Sequence, residues 1–111
     1  MKLPNGERAV IPMAKLRGYC LNPEHAEGRH KARVFASALG MTADDAEELQ
    51  VALLAAARND EAVAGEQDQY GQRYTIDFVL SRAGRTATLR SGWIIRNSED
   101  FARLTSCYVD T

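Results

Sequence analysis

Cysteine is scarce in this chain. It has only Cys20 and Cys107, too few and too far apart for a disulfide framework or a Cys-based metal site. Histidine is equally sparse, with His25 and His30 alone, so a structural zinc site has no ligand set to draw on. Neither sign of charge dominates, and the formal net charge is −1. The molecule as a whole therefore generates no field to gather nucleic acid, and any anion must be held by a local patch. No apolar run approaches bilayer length, and Met1-Lys2-Leu3-Pro4-Asn5-Gly6 lacks the apolar stretch of a signal peptide. The expectation is a cytoplasmic protein with reduced thiols, no membrane association, no metal and no cofactor. Also missing are a P-loop, a Gly-rich dinucleotide fingerprint, His-Glu-x-x-His and Gly-x-Ser-x-Gly. What remains is metal-free acid–base chemistry, or binding without chemistry.

With 111 residues and ordinary apolar and charged fractions, the chain is expected to fold as a single domain over residues 1–111. Charge is uneven within it. Acidic residues crowd into 44–68, whereas Arg and Lys dominate 29–33 and 82–103. One polar stretch, Leu21-Asn22-Pro23-Glu24-His25-Ala26-Glu27-Gly28-Arg29-His30-Lys31, collects both histidines and a basic cluster. Asn22-Pro23 ends whatever helix precedes it. The next residues present His25, Arg29, His30 and Lys31 at the mouth of the following helix, where unpaired N–H groups favour anions. Two imidazoles and two fixed cations there suggest work on a phosphate.

Taken in order, Arg8-Ala9-Val10-Ile11 reads as a short strand and residues 12–20 as a helix opened by Pro12. Ala32, Phe35, Ala36 and Leu39 recur at helical spacing, and Gly40 suits a left-handed cap, giving a helix over 29–39. Thr42 is an N-cap candidate with Asp44 and Asp45 in the first turn. Ala46, Leu49, Leu53 and Ala56 form the buried face of the helix that follows, ending near Asn59. Residues 60–69, acidic and without period, read as a loop. Tyr74, Ile76, Phe78 and Leu80 then alternate with polar residues, Arg82-Ala83-Gly84-Arg85 makes a hairpin turn, and strands follow over 86–96 and 103–109. A mainly helical half (1–59) and an antiparallel sheet half (70–111) describe an α+β domain, with N-terminal helices on one face of a three- or four-stranded sheet.

The other sheet face would be open. Alternation forbids Thr105 and Tyr108 from sharing a face unless a bulge or bend intervenes. Trp93 is either a core filler or a base-stacking platform. His25 is either a general acid–base or a capping or exposed imidazole, and His30 either a second imidazole or a surface group. Lys31 either snorkels over the core edge or neutralises a phosphate. Arg29 and Arg33 are either phosphate contacts or plain surface charges.

Asn22-Pro23-x-His25, Gly28, Lys31-Ala32-x-x-Phe35 and Leu39-Gly40 resemble a bacterial family, domain of unknown function 6883. Tyr70-Gly71-x-x-Tyr74, Trp93-Ile94-Ile95 and Leu104-Thr105-x-x-Tyr108 extend the resemblance over nearly the whole chain. Similar modules occur as small stand-alone proteins and as tails of phage-head-like or polymorphic toxin proteins. The resemblance therefore implies a toxin-type activity with a cognate antitoxin or immunity partner. Helices followed by an antiparallel sheet are also similar, at the level of fold alone, to small ribonucleases of the barnase, colicin and RelE-like group.

The expectation this builds is a metal-independent ribonuclease acting on single-stranded RNA or tRNA. Its catalytic set is His25, His30 and Lys31, with Thr105 and Tyr108 as hydrogen-bond donors. Arg29, Asn22, Arg90 and Trp93 are its substrate contacts. The alternative is a non-enzymatic binding module, an antitoxin or immunity partner, whose acidic 60–69 segment imitates a nucleic acid.

Overall fold

A computed structural model describes residues 1–111. Pro12 precedes a short helix, α1 (Met13–Lys15), which widens into a π turn over Leu16–Cys20, closed by Leu21 N–H donating to Leu16 O at 2.9 Å. The helix expected over 12–20 is thus helical but not regular. Arg8–Ile11 is not a strand. A 3₁₀ turn occupies Gly6–Arg8, and Val10 makes a single parallel bridge to Arg103.

α2 (Arg29–Leu39) has the expected bounds and buries Ala32, Phe35 and Leu39. Gly40 closes it in the left-handed conformation, and Met41 N–H reaches back to Phe35 O at 3.2 Å. A 3₁₀ turn (Ala43–Asp45) then leads into α3 (Ala46–Asn59) through a complete Thr42–Asp45 capping box. Ala46, Leu49, Leu53, Ala56 and Ala57 form the buried face of α3.

The sheet is a four-stranded antiparallel meander in sequence order: β1 (Val63–Gln67), β2 (Gly71–Arg82), β3 (Arg85–Arg96) and β4 (Ala102–Val109). β1 corrects the loop expected over 60–69. All five of its residues are exposed, so no burial pattern marks it in the sequence. Backbone pairing to β2, Val63 opposite Thr75, holds it in place.

The core lies between the helices and one sheet face. Phe35, Leu39, Leu49 and Leu53 meet Ile76, Leu89, Trp93 and Leu104 in one apolar cluster. Arg82, at the end of the β2–β3 hairpin, ties the layers together. It donates to Leu39 O and Gly40 O at 2.9 and 3.0 Å and pairs with Asp45 and Glu48. A cation on the last carbonyls of α2 suits the negative end of that helix. α2 is thereby pinned at its C-terminus, and its basic N-terminus lies beside β4.

Candidate active site at the α2–β4 cleft

The loop before α2 is held by its own polar side chains. Asn22 Nδ2 donates to Gly18 O at 3.3 Å, and Asn22 Oδ1 accepts from Glu24 N–H at 2.9 Å. His25 Nδ1 accepts from two backbone groups, Glu27 N–H and Gly28 N–H, both at 3.0 Å. A ring nitrogen that accepts carries no hydrogen, so this network assigns the His25 proton to Nε2. The His25 ring stands edge-on to Tyr19, with centroids 4.8 Å apart. Gly28 sits so close to the π turn that a Cβ there would meet Tyr19 O at 2.6 Å. These contacts fix the direction in which α2 starts.

The first turn of α2 contains Arg29, His30 and Lys31 and no acidic residue. Cations at the positive end of a helix raise its electrostatic energy. None of Arg29, Lys31 and Arg33 forms an ion pair with a carboxylate. The backbone N–H groups of His30 and Lys31 have no backbone acceptor. An anion at the cleft would be stabilised by the Lys31 ammonium and these N–H groups, whereas Arg33 lines a separate hollow with Leu21 and Pro23.

Across from this turn, β4 is bulged. Gly92 pairs with Ser106 but Trp93 pairs with Leu104, so Thr105 is the inserted residue. Leu104 and Cys107 consequently both enter the core. Thr105 and Ser106 both turn to the open face over Gly92, where a Cβ would meet Thr105 Oγ1 at 2.8 Å and Ser106 Oγ at 2.9 Å. Tyr108, two residues beyond Ser106 and opposite Arg90, shares that face. The bulge is the exception that lets Thr105 and Tyr108 point the same way.

Tyr108 meets the helix. Lys31 Nζ lies 4.7 Å from the centroid of its ring, within cation–π range. His30, Lys31, Val34, Tyr108, Val109 and Asp110 line an open cleft of about 270 Å³ between α2 and the end of β4. His30 is exposed and Lys31 half-buried.

The structure thus gathers His30, Lys31 and Tyr108, with Arg29 on the same helical turn. It leaves His25 and Asn22 in the loop, where their polar atoms hold backbone. Thr105 lies beside Gly92 rather than in the cleft lining. Arg90 is committed to Asp77 through two hydrogen bonds of 2.9 Å, with Asp110 at 3.7 Å. The hydrogen bond to Asp77 is the main reason the Arg90 guanidinium is held more firmly protonated than usual and the Asp77 carboxyl lies below its ordinary value. Trp93 is not on the open face. It is 1% exposed, and its Nε1 donates to Ser91 Oγ, which donates to Ile76 O.

Sequence reasoning overlooked Ser106 beside Thr105, and Val34 and Asp110 in the cleft. Gly92 was the available signal, since a lone glycine inside a strand marks a bulge or a close approach. Both thiols are buried, and burial is the first cause that pushes Cys20 and Cys107 above their ordinary values. No three His, Cys, Asp or Glu side chains come together as a metal-binding group.

Residues 2–111 match the family described as Domain of unknown function (DUF6883). The chain belongs to that family. No curated protein matches it. The family match spans both the loop that starts α2 and the bulged strand, so the cleft lies wholly within the family domain. No helix is long and apolar enough to cross a membrane.

Proposed function

We propose that the chain is a toxin-type, metal-independent ribonuclease that binds and cleaves single-stranded RNA at the α2–β4 cleft. The observation that carries this reading is the meeting of Lys31 with the Tyr108 ring, with His30 beside it, at the basic start of α2. The phosphate sits against Lys31 and the unpaired N–H groups, and Arg29 draws the backbone in. His30 takes the proton of the ribose 2′-OH as its oxygen attacks phosphorus. The bond from phosphorus to the 5′-oxygen breaks, and the Tyr108 hydroxyl supplies the proton to that leaving group. The products are a 2′,3′-cyclic phosphate and a free 5′-OH. His25 and Asn22 act by holding the loop that aims this turn.

The test is incubation of purified protein with single-stranded RNA in EDTA, with product ends identified by mass. Cyclic-phosphate termini are expected, with the rate falling roughly 10²–10⁴-fold in His30→Ala and Lys31→Ala. Intact RNA, or cleavage by either variant at the native rate, would contradict the reading.

One observation favours the second reading, a binding module such as an antitoxin or immunity partner. Three arginines of the open sheet face are neutralised, Arg73 by Asp68, Arg90 by Asp77 and Arg103 by Glu99, which leaves that face little free positive charge for RNA. Expression without the neighbouring gene separates the two. Growth arrest supports the nuclease, and unimpaired growth supports the binding module.

A further inference from the structure

α2 is the shared wall of two hollows that have no lining residue in common. The cleft lies on its β4 flank. On the opposite flank, Ala32, Arg33 and Ala36 enclose a second hollow together with Leu21, Pro23 and Met41. Its volume is about 190 Å³, and Leu21, Ala32 and Met41, each at most 4% exposed, form its floor. An apolar cavity of about 150 Å³ takes up benzene, so this hollow has room for one aliphatic or aromatic side chain.

The rim is basic on one side only. Arg33 is exposed and has no carboxylate partner. One turn further along α2, Ser37 O accepts from Arg85 Nη1 at 3.2 Å, and Arg85 also lacks a carboxylate. Arg82, whose guanidinium likewise reaches the end of α2, is taken by Asp45 and Glu48. α2 itself contains no acidic residue. Across the hollow, Glu24 follows Pro23 and Asp44 lies two residues beyond Thr42, which also lines it. Negative charge on a ligand therefore belongs on the α2 side, beside Arg33 and Arg85, with an apolar part in the hollow.

We propose that this surface docks an acidic segment of a partner protein, one apolar side chain filling the hollow and carboxylates meeting Arg33 and Arg85. Guanidinium groups suit carboxylates because two parallel N–H groups can meet both oxygens. An apolar anchor in a pocket, flanked by complementary charge, is how a few residues carry most of a binding energy. The same chemistry disfavours a nucleic acid here. An RNA strand brings anions but no aliphatic group, and no aromatic side chain lines the hollow for a base to stack on. The inference does not rest on the nuclease reading, since cleft and hollow share no residue.

Random twelve-residue peptides displayed on phage and panned on the full chain test it. Enriched sequences should carry Asp or Glu within a few residues of Leu, Met or Phe. The synthetic consensus peptide should shift the Met41 methyl resonance. It should bind at least tenfold more weakly to Arg33→Gln, which removes the cation, and to Ala36→Phe, which fills the hollow from an exposed helix position. Far-ultraviolet circular dichroism should be unchanged in both. His30→Ala alters only the cleft and should bind the peptide as the native chain does, so docking and RNA cleavage are read separately. The proposal is overturned by no enrichment, by a consensus without acidic residues, or by a peptide that leaves Met41 unmoved. Native affinity in either variant would overturn it too, as would an oligouridylate that displaces the peptide and shifts the same methyl group.

Discussion

His25 spends one nitrogen on two backbone donors, and that use separates it from His30. Replacing it with alanine leaves Glu27 N–H and Gly28 N–H without their acceptor. The comparison is with loss of a helix cap, so His25→Ala should cost about 1 kcal/mol, read as a lower urea midpoint. His30, exposed at the start of α2, should change stability by less than about 0.5 kcal/mol when replaced by alanine. Equal midpoints for the two variants would contradict these assignments. The sequence marks the loop through Asn22-Pro23 and Gly28, and it marks the basic first turn. It does not say which imidazole faces the cleft, because that depends on the backbone path between residues 25 and 28. Trp93 shows the same limit. Its polar partner, Ser91, is two residues away on the same strand face, but whether that face is covered is settled by how the helices pack.

At the scale of elements, α2 and α3 were legible because each carries an apolar stripe and a recognisable cap. β1 was not, since Val63-Ala64-Gly65-Glu66-Gln67 has no buried side to produce a pattern. The bulge at Thr105 was legible only as a condition, and the register around Gly92 meets it. The open face of the sheet carries a prediction of its own. Arg73 and Arg103 lie opposite Ile94 in register and are paired with Asp68 and Glu99, so their stems shield a buried Ile94. A backbone hydrogen bond from Tyr70 is the first cause lowering the Asp68 carboxyl, followed by its bond to Arg73. Hydrogen bonds from Arg90 and Arg103 are the first causes for Asp77 and Glu99. A carboxyl lowered in the folded state contributes stability above its unfolded value, about pH 4, and loses it as pH falls through the folded value. Urea midpoints should therefore drop below about pH 4, and the drop should be shallower in Asp77→Asn. A flat profile from pH 5 to pH 2 would contradict the ion-paired face.

For the whole molecule, a net charge of −1 leaves anion binding to local patches, and the start of α2 is a place where cations carry no carboxylate partner. The fold creates that place. The Arg82 anchor fixes one end of α2, the loop held by Asn22, His25 and Gly28 fixes the other, and the bulge brings Tyr108 under Lys31. Two segments far apart in sequence thereby meet at one cleft. The most direct measurement is the shift of backbone amide resonances on titration with a short single-stranded RNA. The largest shifts are predicted at His30, Lys31 and Tyr108, abolished by Lys31→Ala. Shifts centred on Arg73 and Arg90 of the open face, or none at all, would contradict a phosphate site between α2 and β4.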